Sequence, residues 1–304
     1  MSLKKIILSH KILYELYFFL SGKKINRTVL DKKIARLTEK TPAHKDFVPD
    51  LIVSLTSYGE RLSDLKYTLL SLVLQSVRPE KIIVWLGEGE VVPDSLRMFE
   101  RYGVAFVLCK DTRSYTKLIP ALQSPVLCKK HIVTADDDIF YEKDWLKRLW
   151  QAHLRYPDDK ITHIAHTVSF GSDGLLLPYN KWMHNVCAAT CGKMYFPTGV
   201  GGILYPSVSV SASFLDENLY MKLAPNADDV WFYFMGILSG LNTRIISHPC
   251  NRLKYVDIYK EYGLNGKSTL QSVNVEQNQN DMQIRAVMEH FNISDERLHE
   301  IIYE

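Results

Sequence analysis

The 304-residue sequence is short of several features that would classify it at once. It has only five cysteines (Cys109, Cys128, Cys187, Cys191 and Cys250), an odd and sparse set for a disulfide framework in a chain this long. Reduced thiols in the cytoplasm are therefore expected. Cys187 and Cys191 lack the other half of a zinc site and read as structural. Net charge is also small, at +3, which argues against nucleic acid as a main partner. Nor does the apolar stretch near the N-terminus, Ile12 to Leu20, approach the ~20 residues that span a bilayer. It contains Glu15, and no small-residue cleavage site follows, so a signal peptide is not expected. No internal repeat or low-complexity segment is visible.

What remains is an ordinary folded composition, 46% hydrophobic and 23% charged. The charge is uneven. Met1 to Lys45 carries 11 Lys and Arg against three acids (Glu15, Asp31, Glu39), a net +8 that leaves −5 on the rest of the +3 chain. A basic leader with aromatic residues suits either a helix packed on the body or an interfacial helix on an anionic membrane. The expected organisation is a helical leader over 1–48, a main domain over 49–255, and a polar tail with a C-terminal helix over 256–304.

The main domain alternates strands and helices. Leu51–Leu55 reads as a buried strand. Leu62 to Val77, with Leu62, Leu65, Leu69, Leu72 and Val73 at helical spacing, reads as an amphipathic helix ended by Arg78-Pro79. Lys81–Leu86 and Val104–Leu108 read as strands, with a short helix over Asp94–Arg101 between them. His131–Ala135 is a fourth strand, followed by a helix from Lys143 to about Tyr156. Ile161–Phe170 then reads as a strand, Asp228–Leu238 as a helix and Thr243–Ser247 as the last strand. Tyr179–Cys191 has no clear period. This alternation predicts an α/β fold with a doubly wound, mostly parallel sheet.

Asp136-Asp137-Asp138 stands where the fourth strand ends, the edge at which open α/β sheets bind ligands. Three adjacent carboxylates repel one another unless a cation offsets them, and hard ions such as Mg²⁺ or Mn²⁺ favour carboxylate oxygen. Phe140, Tyr141 and Glu142 separate the cluster from the next helix, so helix capping does not explain it.

The strand-borne Asp136-x-Asp138 resembles the DxD motif of GT-A-fold glycosyltransferases. Val53-Ser-Leu-Thr-Ser-Tyr-Gly-Glu-Arg61 and Leu70-Ser-Leu-Val-Leu-Gln75 resemble family 2 and its bacterial surface-polysaccharide and lipopolysaccharide relatives. The resemblance spans about Leu51 to Pro249. It implies the GT-A (nucleotide-diphospho-sugar transferase) fold and transfer of a sugar, with inversion, from a nucleotide-sugar, UDP-linked by default. The acceptor would be a glycan or lipid-linked glycan at the cytoplasmic side of the plasma membrane.

By the same resemblance, Thr56, Tyr58, Arg61, Lys117, Asp136 and Asp137 would hold the donor, and Asp138 with His248 would hold Mn²⁺ or Mg²⁺. Gly201, Gly202 and Trp231 would line the sugar and acceptor. Asp229 would act as general base with Asp228 beside it. The segment Trp85-Leu-Gly-Glu-Gly-Glu90 lacks the base-reading Asp common in relatives. Gly266-Lys-Ser-Thr269 is no phosphate loop, because Glu261 stands where the first glycine is required.

The rival readings are a sugar-1-phosphate nucleotidyltransferase, a metal-dependent hydrolase and a non-catalytic carbohydrate-binding protein. The first usually has a glycine-rich, basic loop after strand one, and only Gly59 stands there. The second needs a richer His/Asp set. Binding alone needs neither Asp138 nor Asp229.

Overall fold

The computed structural model describes residues 24–37, 46–207, 210–247, 253–257 and 278–304. Along the chain the elements are α1 (Arg27–Leu37), β1 (Asp46–Thr56), α2 (Leu65–Val73), β2 (Val77–Gly87), α3 (Asp94–Arg97), β3 (Val104–Cys109), α4 (Ile119–Gln123) and β4 (His131–Thr134). Next come β5 (Ile139–Phe140), α5 (Trp145–Arg155), β6 (Lys160–Thr162), β7 (Ala165–Thr167), β8 (Met183–Val186), β9 (Thr190–Gly192), β10 (Tyr195–Pro197) and β11 (Ile203–Tyr205). The chain ends with α6 (Glu217–Leu223), α7 (Asp228–Leu238), β12 (Thr243–Ile245), β13 (Lys254–Tyr255), α8 (Gln279–His290) and α9 (Asp295–Tyr303).

The main sheet has strand order β3-β2-β1-β4-β11-β6-β12-β9. Strands β3, β2, β1 and β4 are mutually parallel, and β12 is parallel to β6. Only β11 and β9 oppose their neighbours. This is the expected mixed α/β architecture, a large and mostly parallel sheet flanked by helices. Both faces are covered, so both sides of each central strand are apolar. On β1, Leu51, Val53 and Leu55 join one core with α2 and α5, while Ile52 points into the other, which contains α7 and α8. Helix α7 is apolar nearly all round because it is buried nearly all round, from Val230 to Ile237.

Several boundaries differ from expectation. The helix expected from Leu62 is a 3₁₀ turn (Gly59–Ser63) followed by the shorter α2, and Val77-Arg78-Pro79 belongs to β2. Pro79 is tolerated there because β3 pairs with β2 only from Ile82 onward, leaving one side of residue 79 without a ladder partner. The strand expected over Ile161–Phe170 is two strands. The chain leaves the main sheet after Thr162, whose hydroxyl donates to carbonyls of Ile164 (3.1 Å) and Gly202 (2.9 Å), and β7 joins a second sheet ordered β10-β7-β8. Strand β12 is not the last. Strand β13 pairs with β5 directly after the acidic triplet.

Of the leader, α1 packs on the body through Leu30 and Leu37, with Arg27 bonded to Asp64 and Lys66 to Asp31. The stretch from Ile12 to Leu20 lies outside the described residues, as do His248, Glu261, Gly266–Thr269 and the polar tail up to residue 277. Among the described residues no helix is long and apolar enough to cross a membrane. The expectation of five reduced thiols is corrected. Cys109, Cys128 and Cys191 are free, but Cys187 is disulfide-bonded, and its partner lies outside the described residues.

Candidate active site

The carboxyl ends of β1 and β4 adjoin, and two cations, one buried and one half-buried, organise the acids gathered there. The first is Lys117, at the end of a 3₁₀ turn (Arg113–Lys117). Its carbonyl accepts from the Ser54 hydroxyl at 2.6 Å, and Ser54 in turn accepts from the Trp85 indole at 2.8 Å. The lysine's place is thus set by β1 and β2. Its ammonium lies 3.1 Å from Asp136 and 3.0 Å from Asp228. Burial pulls the ammonium pKa down, but the charges of Asp136, Asp228 and Asp229 outweigh it and hold Lys117 well above the ordinary lysine range.

The second cation is Arg61, in the loop after β1. Its guanidinium is ion-paired with Asp137 at 2.7 Å and with Asp138. Asp137 also accepts from the Ser57 hydroxyl at 2.6 Å, and its carbonyl accepts from Thr68 at 2.8 Å. Burial opposes the charge on Arg61, and Asp137 and Asp138 more than restore it. The repulsion within the triplet is therefore relieved by two side chains, Lys117 on Asp136 and Arg61 on the other two.

Asp228 and Asp229 form the first turn of α7. The turn before them is anchored from both sides, by Arg113 donating to Pro225 (3.0 Å) and Asn226 (2.8 Å), and by Gln283 of α8 accepting from the Asn226 amide (2.9 Å). One oxygen of Asp229 accepts from the Gly199 amide at 3.3 Å, while Oδ1 is buried without a hydrogen-bond partner. Burial first, then the charge of Asp228, push the Asp229 carboxyl far up, against the pull of Lys117.

Expected and observed site residues agree unevenly. Asp136, Asp137, Asp138, Asp228, Asp229, Lys117 and Arg61 do converge. Arg61 binds the acids instead of standing ready for a phosphate. The Thr56 hydroxyl donates to the Trp85 carbonyl at 3.1 Å. Tyr58 is exposed and stacks beneath Arg61 at 5.6 Å.

Trp231 is corrected. It is 0% exposed, its indole donates to the Phe214 carbonyl at 3.2 Å, and it packs on Tyr220 and Phe291, so it is core. Gly201 and Gly202 are corrected as well. A Cβ on Gly201 would press on Ile164 at 3.2 Å, and one on Gly202, at φ +79, would meet the Trp145 ring at 2.3 Å. Both are packing glycines. The glycine that faces the site is Gly199, where a Cβ would lie 2.6 Å from the Lys117 ammonium and 3.4 Å from both Asp136 and Asp229. Its place in the same Gly-rich string was the available signal.

Tyrosines were also missed. Tyr141 accepts from the Asp136 amide at 2.8 Å. Tyr205 is buried, and its hydroxyl pKa is driven up by burial and then by Asp229. Its position three residues past the Gly201-Gly202 pair gave no hint of this.

Among the described residues the acids do not form a ready-made metal site, and His248 lies outside them. Every acid of the triplet already has a cationic partner, and among the described residues no group of three or more His, Cys, Asp or Glu is arranged to hold an ion. An ion ligated by Asp138 would have to displace Arg61.

No protein-family model matches the chain, and no curated protein matches it. Among solved structures, the chain is similar to that of a CMP:2-keto-3-deoxy-manno-octonic acid synthetase complexed with CTP. The match has 10% identity and a TM-score of 0.39, covering 67% of this chain and 90% of the other. What is shared is the α/β fold. The expected family 2 glycosyltransferase activity is corrected at this point: the solved structure found similar is a synthetase complexed with CTP, not a glycosyltransferase.

Proposed function

We propose that this chain is a nucleotidyltransferase that joins a nucleoside monophosphate, taken from a nucleoside triphosphate, to an oxygen of a sugar. The observation that carries the reading is Asp229, with one carboxylate oxygen buried and unpartnered, its pKa raised, and the Lys117 ammonium close by. A raised carboxylate is suited to accept a proton from a weakly acidic hydroxyl near neutral pH. A phosphate oxygen is already ionised and needs no such base, so the site favours a sugar hydroxyl over a sugar phosphate as nucleophile. The Gly-poor loop after β1, which counted against this reading in the sequence, supplies Arg61, whose guanidinium stays engaged with Asp137 and Asp138, and open backbone at Gly59.

In the proposed reaction the sugar O–H gives its proton to Asp229 while its oxygen forms a bond to the α-phosphorus. The bond from that phosphorus to the β-phosphate oxygen breaks, and pyrophosphate leaves with the electron pair. Lys117, beside Asp229 and Gly199, sets positive charge next to the phosphates, the positioning and electrostatic role that dominates phosphoryl chemistry, while Arg61 stays on Asp137 and Asp138. Gly199 keeps the space beside Lys117 clear.

The test is pyrophosphate release from a panel of nucleoside triphosphates, with Mg²⁺ present as their ordinary counter-ion, against free sugars and sugar 1-phosphates. Release that depends on a free sugar, and falls at least 10²-fold in Asp229→Asn, is the expected result. No pyrophosphate from any pair, in protein that still binds a nucleotide, would refute the proposal.

A further inference from the structure

A second constellation lies outside the acidic site. On α5, Arg148, Gln151, Ala152 and Arg155 are spaced i, i+3, i+4 and i+7, which puts them on one stripe of the helix. That stripe faces the end of β12, and between them is a cleft of about 400 Å³ lined also by Tyr156, Thr190 and Arg244. Ala152, at the centre of the stripe, leaves the room that a longer side chain would fill.

Three guanidinium groups thus reach one cavity from two elements. Their donors are only partly used. Arg244 gives its Nε to Asp159 at 2.7 Å and its guanidinium carbon lies over the Tyr156 ring at 3.4 Å, and among the described residues its terminal nitrogens make no hydrogen bond. Arg148 gives one terminal nitrogen to Glu142 at 3.2 Å, while its Nε is buried without a partner. Arg155 is exposed and makes no ion pair among the described residues. Two carboxylates against three guanidiniums leave one positive charge in excess. A planar fork held by stacking and one carboxylate is the arrangement that receives an oxyanion through paired N–H donors.

We propose that this cleft binds a phosphate group, held by Arg155, Arg148 and the terminal nitrogens of Arg244. It shares no residue with the acidic site, so it stands or falls independently of the proposed reaction. A structural role alone would account for Arg244 and Arg148, each of which has its acid. It leaves unexplained why an unpaired Arg155 and a small Ala152 should share their stripe.

The experiment observes the guanidinium Nε–Hε resonances of the ¹⁵N-arginine-labelled full chain during separate titrations with inorganic phosphate and a hexose 1-phosphate. The expected result is saturable shifts of the Arg155 and Arg244 resonances with a half-point below about 1 mM. Arg155→Gln, which breaks no ion pair and leaves folding intact, should weaken binding at least ~10-fold. A lower half-point for the hexose 1-phosphate assigns the site to a sugar phosphate, and equal half-points assign it to free phosphate. Shifts that stay linear in both titrations, or that saturate equally in wild type and in Arg155→Gln, would overturn the proposal.

Discussion

Replacing Lys117 with methionine tests the organising role of the buried ammonium. The substitution keeps the volume and removes the charge that lies 3.1 Å from Asp136 and 3.0 Å from Asp228. At an effective dielectric near 20, one unit pair at that separation is worth about 5 kcal/mol before desolvation is counted. Burial of the lysine takes back part of this, and breaking a buried pair by removing one partner typically costs about 3–5 kcal/mol. We expect that loss at about pH 8, read as the difference in unfolding free energy from denaturant titration.

The loss should depend on pH in a definite direction. Asp229 has a native pKa raised to about 7, above its ordinary value, so its contribution to stability is fully present at low pH and disappears as pH rises through that range. Without Lys117 the carboxyl is pushed up further, and the penalty for ionising it grows. The deficit should therefore be smaller at about pH 4, where the Asp229 carboxyl is protonated, and grow as the pH rises through neutrality. A deficit below about 1 kcal/mol at pH 8, or one that does not change with pH, would refute the account of Lys117 as the charge that holds the acids together.

Four further outcomes follow. In the proposed reaction, turnover by the wild-type protein should rise with pH along a limb near 7 that is set by Asp229, and Asp229→Asn should lose the limb along with the rate; an unaltered pH–rate profile in that variant would remove Asp229 as the base. Gly199→Ala should cut activity and lower the unfolding midpoint, because its Cβ would stand 2.6 Å from the Lys117 ammonium and press it off Asp136 and Asp228; Gly202→Ala should also lower that midpoint, because its Cβ meets the Trp145 ring at positive φ. Trp231→Ala should cost about 3–5 kcal/mol of stability in the same titration, and in protein that remains folded, ligand affinity should be unchanged. Lys160 is buried beside Tyr233 and Gly236 with an unpartnered ammonium, and burial brings its pKa down to about 7. Its native charge is a penalty present in full below that pH and relieved as pH rises above it, so Lys160→Met should raise the thermal midpoint more at about pH 6 than at about pH 9.

The sequence carried the fold well because the signals there are local and periodic. Helix α7 begins and ends at the expected residues, and β1 to β4 appear in the expected order, since each is written as a short apolar run between turn residues. What was illegible at this level was pairing at a distance. Val77–Pro79 reads as a helix stop until β1 is alongside to accept it as strand, and β13 is too short to show a period before β5 stands opposite it.

The site shows the same division. Asp136–Asp138 and Asp228-Asp229 are conspicuous as strings, so acids were readily placed. A string of acids invites the inference of a metal ion, because in one dimension nothing else is present to neutralise it. In the folded chain Lys117 is brought in from 19 residues before Asp136, and Arg61 from 77 residues before Asp138. Neither lysine nor arginine is unusual where it stands in the sequence. The same limit misassigned Gly201, Gly202 and Trp231: glycine and tryptophan serve packing and ligands alike, and only the neighbour that a Cβ or an indole N–H meets separates the two roles. Charge compensation between distant segments is thus the feature that decides the chemistry here, which is why removing Lys117 probes the site more sharply than removing any one of the acids it holds.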